Sequence, residues 1–436
     1  MTALTLLHLP PELLTNIFSR LSTSELLNLM LSCKALRKFI INDNAIWRTT
    51  CRGKLFVHSS VENSKPTSLS WYHWSRISYN WYSGVYRGQV PIQHHTNYMP
   101  WLTYQNSEAL VISVGSELRC YIIDKRSMPY CKAHWILQVP KIKRPGVRIS
   151  DISRFVIKSG LIVCGNRDGC MSVYKVNNIR EKPHLLFHIQ DCHEYGEKEL
   201  STVELCNKNE PFLNIATGSN YSSVLRFWQL KEHESDGFVS GIQYNNNNVI
   251  DSVSDITLSN NVGIRCMHLN NLNNKLAIGL NGNDTPVLLD VPSCEILMNP
   301  HEKTNLKQLV RDIQWHDTNT IIYVTHSGKL RLIDARSHNM LYDVQDPFLS
   351  SLYCVKSDGG RSIIVGSAEY ARCVLFDTRK SKTHVQIYFT QKKTSPVYSL
   401  DFDSTKLIAA ADRSVAVLDF NVNLASAERR DYSYFK

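Results

Sequence analysis

Four residues recur at an interval that invites a common chemistry: Arg265, Arg311, Tyr353 and Tyr398 stand 42 to 46 residues apart. Each follows an apolar residue near the start of a short apolar-rich run, in IRCMHL, VRDIQW, LYCVKS and VYSLDF. Gathered at one place, they would hold a carboxylate or a phosphate. Arginine presents two parallel N–H donors to such a group, and tyrosine adds a ring face and a hydroxyl. The same register places Ser153 and Ser201, and more loosely Pro100, at equivalent positions earlier in the chain. The alternative is that these side chains cap strand ends and pair with local acids such as Asp312.

Other chemistry-bearing combinations lead nowhere so specific. His184 and His188 have the i, i+4 spacing of a helical metal pair. They lie in a strand-rich stretch, where that spacing puts them too far apart, so no metal is expected. Asp191-Cys192-His193-Glu194 crowds reactive types without a motif to organise them and reads as loop polarity. Asp168-Gly169 is a hairpin-turn signal. There is no phosphate-binding loop, no G-x-S-x-G and no dinucleotide fingerprint, so neither catalysis nor a cofactor is expected. The 12 cysteines are scattered, without a C-x-x-C, and read as reduced thiols acting as small apolar groups. KIKRPGVR, from Lys141 to Arg148, is the densest basic patch in a chain of net charge +10. It reads as an exposed loop, with nucleic-acid contact or a nuclear signal as the alternatives.

Elements must now be found to position the four-residue register. From about residue 85 a unit repeats: an apolar strand with small residues, a turn, then an alternating strand ending in an apolar residue and Asp. LVISVGSELRCYIID, LIVCGNRDGCMSVYKV, LNIATGSNYSSVLRFWQL, KLAIGLNGNDTPVLLD, IIYVTHSGKLRLID, SIIVGSAEYARCVLFD and KLIAAADRSVAVLDF are the instances. From Leu289 to Ile333, Phe376 and Leu418 the intervals are 44, 43 and 42 residues, the period of four-stranded propeller blades. Longer earlier intervals imply loop insertions, the longest around KEHESDGFVSGIQYNNNNVIDSVS. The last unit lacks an outer strand, and a ring must close to protect its edges. VYRGQVPI, from Val85 to Ile92, is expected to supply it.

The first fifty residues pose a different problem. Pro10 and Pro11 open a helix whose Leu13, Leu14, Ile17, Phe18 and Leu21 form one apolar stripe. Ser22 and Glu25 make a capping box for a second helix carrying Leu26, Leu27, Leu29, Met30 and Leu31. A third helix would carry Leu36, Phe39, Ile40 and Ile41, with Trp47 closing the segment. So small a unit cannot bury all of these. Each large apolar side chain left wet forgoes roughly 1.5–3 kcal/mol. Either a partner or the rest of the chain must cover the surplus. After a polar stretch, SWYHWSRISYNW places Trp71, Trp74 and Ile77 or Ser78 on one face of a short helix that would pack this unit against the ring.

The landmarks from Leu6 to Arg48 resemble an F-box: Leu9-Pro10, Glu12-Leu13-Leu14, Ile17-Phe18, Leu21, Glu25-Leu26-Leu27, Cys33-Lys34, Leu36-Arg37 and Ile46-Trp47. Glu25 stands where the family often has Asp and keeps the charge. The seven units resemble WD repeats in which Ile, Leu or Phe mostly replaces the Trp. Together they resemble the F-box and WD-repeat family. NWYSGVYRG, YMPW, SLYCVKSDG with VGSAEY, and SPVYSL with VAVLDF are similar to its dactylin branch. The expected fold is mainly β: a seven-bladed WD-type β-propeller preceded by a small α-helical F-box domain. The expected domains are an F-box at 4–50, a linker with a short helix at 51–84, the propeller at 85–423 and a flexible tail at 424–436.

The resemblance implies a non-catalytic substrate-recognition subunit of an SCF-type ubiquitin ligase. The F-box would dock on the Skp adaptor and, through it, on cullin. The propeller would present an acidic or phosphorylated substrate for ubiquitination and proteasomal degradation. Leu9, Pro10, Leu13, Leu14, Ile17, Phe18, Leu26, Leu27, Leu31 and Trp47 carry over as adaptor-binding or supporting positions. Arg265, Arg311, Tyr353 and Tyr398 are the substrate-binding candidates. The alternative is a WD-repeat scaffold that binds the adaptor without delivering substrates. A cytoplasmic or nuclear setting is expected, because the first residues lack a secretory signal pattern and no run approaches the ~18 apolar residues of a membrane helix.

Overall fold

In a computed structural model, the described residues are 6–59, 69–94, 99–105, 108–124, 128–142, 149–209, 212–231, 250–258, 262–299, 309–423 and 427–433. The basic stretch 143–148 and most of the long insertion lie outside them.

Among the described residues, a 3-10 turn at Leu6–His8 is followed by four short α-helices. α1 spans Pro11–Phe18 with proline in its first turn. α2 spans Thr23–Ser32, and both hydrogen bonds of the Ser22–Glu25 capping box are present. The expected third helix is two: α3, Lys34–Asn42, and α4, Asn44–Thr50. Asp43 divides them, because its carboxylate accepts from the Ala45 and Ile46 N–H groups and caps a new start. Leu14, Phe18, Leu26, Met30, Leu36, Ile40, Ile46 and Trp47 form the core of this unit. The Trp47 indole N–H donates to the Ile40 carbonyl at 2.7 Å.

A seven-bladed propeller follows, its blades four antiparallel strands each with one larger exception. Blade 1 begins at Leu102–Gln105, blade 2 at Ile152–Lys158, blade 3 at Thr202–Asn209 and blade 4 at Ile264–Leu269. Blade 5 begins at Val310–Trp315, blade 6 at Leu352–Ser357 and blade 7 at Ser399–Phe402. The second strand of nearly every blade is buried throughout, as in Ala109–Val114, Leu161–Asn166 and Ser362–Ser367. That is why these strands read as unbroken apolar runs. Between each pair of neighbouring blades lies a separate apolar cluster. The recurring Asp at the third strand's end has a local cause. Asp334, Asp377 and Asp419 each accept the backbone N–H two residues on, making the turn that follows.

Closure uses the first of the described strands together with the last ones. The strand Val85–Gln93 pairs antiparallel with Ser414–Asp419 of blade 7, as the unpartnered last unit required. Residues 427–433, in the stretch read as a tail, add to its outer side: Glu428–Arg429 pairs with Val85 and Tyr86, and Tyr432 packs on Phe389. Gly84 permits this approach, since its φ is +61° and a Cβ would stand 2.0 Å from the Arg430 carbonyl oxygen.

α5, Trp71–Tyr82, joins the two parts. Toward the helical unit, Tyr72 stacks edge-on against Trp47, and the Trp71 N–H donates to Asn44. Toward the ring, Trp81 lies parallel to Phe420 at 3.6 Å and donates its indole N–H to the Ser404 carbonyl. Asn80 donates to the carbonyls of Phe420 and Val422. Ser404 sits in the turn between the first two strands of blade 7, at the end of the ring opposite Tyr398. The linker reinforces the joint, with the Phe56 carbonyl accepting from Ser362 and the Gly53 carbonyl from Arg379.

Candidate functional site

The register positions meet. Pro100, Ser153, Ser201, Arg265, Arg311, Tyr353 and Tyr398, one from each blade, line a single small cavity at the mouth of the central channel. A local backbone device aims several of them. In blades 2, 4, 5 and 6 the pairing of the first two strands slips at Ser153, Arg265, Arg311 and Tyr353, so each is the extra residue of a bulge. A bulge turns a side chain out of the sheet's alternation. Here it turns toward the axis.

The four candidates form a chain around the mouth. Arg311 lies over the Tyr353 ring at 4.7 Å, and Tyr353 meets Tyr398 edge-on at 5.5 Å. Arg311 also donates to Nδ1 of His326 at 3.0 Å. Burial lowers the pKa of Arg265, and the neighbouring Arg311 charge lowers it further. The Arg311 Nε is buried without a hydrogen-bond partner. Arg167 and Arg154 line the cavity too, with Glu199 the one carboxylate among its lining residues. The mouth is therefore cationic and partly desolvated, a setting in which an arriving anion gains charge-assisted bonds. Its volume, about 70 Å³, suits the tip of a side chain. Small-molecule sites are commonly ~300–1,000 Å³.

Asp312 does not serve as partner to the Arg pair. One of its oxygens accepts from Arg154 of blade 2 at 2.6 Å and the other from the Val355 N–H of blade 6. Arg154 in turn lies 3.8 Å above the Trp101 ring. This buried ion pair ties three blades below the mouth and leaves Arg265 and Arg311 to the opening.

The helical unit shows which of its ten candidate positions face outward. Leu13 and Ile17 on α1 are 49% and 42% exposed, and Leu27 and Leu31 on α2 are 43% and 82% exposed. Pro10 is also exposed and Leu9 half-buried. Leu14, Phe18, Leu26 and Trp47 are buried in the unit's own core. They shape the surface and are not accessible to a partner. Among the described residues, these surplus apolar side chains are thus left exposed.

His193 has a role that the sequence reading missed. It is 1% exposed, and its Nε2 lies 3.1 Å from the Thr217 hydroxyl, which accepts the Trp228 indole N–H. The three come from the loop before blade 3 and from its second and third strands. His184 and His188 lie on the strand His184–Ile189, where His188 meets the Ser172 hydroxyl. Among the described residues no group of three or more His, Cys, Asp or Glu is placed to hold a metal ion. No helix among them is long and apolar enough to cross a membrane.

A helical unit with outward apolar side chains, locked by one helix to the far end of a seven-bladed ring, defines a protein of two joined parts. Residues 6–53 match the F-box-like family. Over 430 residues the chain is 23% identical to F-box/WD repeat-containing protein 4 of Mus musculus, covering 95% of this chain and 93% of that one. The Homo sapiens protein of the same name is 22% identical over 425 residues, covering 95% and 92%. F-box only protein 31 of Xenopus tropicalis is 33% identical over 95 residues, 21% of this chain and 17% of that one. The chain thus carries an F-box-like domain and is similar along nearly its whole length to F-box/WD-repeat proteins.

Proposed function

We propose that this protein is the substrate-recognition subunit of an SCF-type ubiquitin ligase. The exposed Leu13, Ile17, Leu27 and Leu31 would dock on the Skp adaptor, and through it on cullin. The arginine mouth would hold an acidic or phosphorylated segment of a protein substrate. The protein contributes no catalytic group in this reading. It raises the effective concentration of the target near the transfer machinery. It would do so in the cytoplasm or nucleus, and the captured protein would go on to proteasomal degradation.

One observation carries the reading: the uncovered apolar side chains and the mouth lie on parts that α5 joins rigidly, with the mouth at the ring's opposite end. A substrate held there is presented away from the docking helices, at a distance that does not fluctuate with a loose linker.

Paired variants test it. Leu13→Asp with Ile17→Asp should abolish co-purification of the adaptor and leave the ring folded. Arg265→Glu with Arg311→Glu should keep the adaptor and lose the captured proteins, which should then accumulate in cells. Adaptor binding by the first variant at the wild-type level rejects the docking surface. Unchanged capture by the second rejects the mouth.

A further inference from the structure

A second cavity is larger than the mouth. It lies between blades 6 and 7, on the end of the ring that carries the mouth, with a volume of about 1140 Å³. One wall is the closing strand from Tyr86 to Gln93. The other is the connection Phe389–Ser395 from the last strand of blade 6. Arg87, Lys392, Lys393, Arg413 and Arg430 line it, against Asp412 as the one acid. Lys392 and Lys393 are exposed.

The closing strand also has an open edge here. Its outer side pairs with Glu428–Arg429 only at Val85 and Tyr86. Beyond Tyr86 no further strand follows among the described residues, and Arg87, Gly88, Gln89 and Val90 are exposed. Its inner pairing slips between Gln89 and Ile92, so the strand bends at the groove. An unpaired strand edge offers main-chain donors and acceptors to another extended chain.

We propose that this groove binds an extended, acidic peptide segment of a partner protein. The segment adds as a strand along the free edge beyond Tyr86, and its carboxylates reach Lys392 and Lys393. Charge and shape together select this occupant. The free edge asks for a peptide backbone, which a nucleic acid lacks, and a lining with five cations, of which Arg87 pairs with Asp419, against the one acid Asp412 asks for carboxylates. The groove also adjoins the mouth, because Asp412 lines it and neighbours Tyr398 of the mouth. Its assignment makes no assumption about what the mouth binds.

The test uses the full chain and a fluorescein-labelled dodecapeptide of alternating glutamate and threonine, with binding read by fluorescence polarisation. Lys392→Glu with Lys393→Glu should weaken binding by roughly tenfold or more. Lys182→Glu with Lys382→Glu, a matched charge reversal on other surface connections, should change it less than about twofold. A peptide with two central threonines replaced by proline should bind poorly, since proline cannot donate to the ladder. Unchanged affinity in the Lys392/Lys393 variant overturns the proposal, as does an equal loss in the control pair. Full binding by the proline peptide overturns strand addition. Loss with Arg265→Glu and Arg311→Glu but not with the groove variant places the peptide in the mouth instead. Tighter binding of a twelve-nucleotide oligothymidine, lost with the groove variant, assigns the groove to nucleic acid.

Discussion

Burying a histidine favours a fold only while the ring stays neutral, and His193 makes that condition measurable. Burial, seconded by the Arg226 charge, pushes its pKa down to about 4, with Asp255 opposing. In the unfolded chain an imidazole titrates near ~6.5. Above that pH neither state holds the proton, and the full contribution is present. As pH falls from ~6.5 toward 4, the unfolded chain takes up a proton that the folded one refuses, and stability drops by about 3 kcal/mol. His193→Gln should cost about 1–3 kcal/mol at pH 7.5, because Thr217 loses a partner. It should then lose less than the wild type between pH 6.5 and 4.5. Urea unfolding at three pH values reads both effects, and parallel pH profiles would reject the assignment. The network could not be read from the sequence, since Thr217 and Trp228 belong to later strands. Arg154 and Asp312, 158 residues apart, were hidden for the same reason. Arg265, Arg311, Tyr353 and Tyr398 were visible because each keeps one phase against the blade period. The bulge that aims three of them leaves no mark on composition.

A helix that serves two interfaces is held by both, and α5 is such an element. Its first turn touches α4 and its last turn is buried against blade 7. Trp81→Ala would remove a ring fully enclosed between Phe420 and Tyr388, at a cost of about 3–5 kcal/mol. The loss falls at the joint, so calorimetry should show the helical unit and the ring melting apart in the variant where the wild type melts together. A single transition, merely shifted, would mean that the linker residues Gly53 to Val57 hold the joint unaided. Elements with a local signature were legible: the capping box at Ser22 and Glu25, the tryptophan face of α5, and the alternation of the blades. Asp43 was not, because an aspartate inside an apolar helical run can be a solvated residue or a cap, and only the direction of the chain beyond it decides. The short strand Glu428–Arg429 was missed for a similar reason. Two residues carry no periodicity, and their pairing exists only because Val85 and Tyr86 have been brought there.

A ring is as cooperative as its weakest seam, and the seam here joins the first and last strands of the ring. Ile92 of the closing strand is 1% exposed and packs with Val415 and Val417 of blade 7 and with Leu102 and Tyr104 of blade 1. The Tyr104 N–H donates to Asp401, and the Leu102 N–H to Ser399, so backbone and apolar contacts cross the seam together. The unpaired last unit made the seam legible in outline. The groove beside it was not, because Gln89 and Lys392 come to line one cavity only after the whole ring has turned. Ile92→Asp would bury a carboxylate among apolar neighbours that offer it no partner, at about 4 kcal/mol or more. Ile136→Asp, on the exposed side of a blade 1 outer strand at 46% exposure, should cost within about 0.5 kcal/mol. The two variants also separate seam from blade. Opening the ring exposes the faces of blades 1 and 7 before global unfolding, so Ile92→Asp should lower the denaturant m-value as well as the midpoint. The Ile136 variant should leave both in place. If Ile92→Asp kept the wild-type m-value, the blades would be coupled through their neighbours alone, and the strand from Val85 to Gln93 would be a cover over one edge and not the closure of the ring.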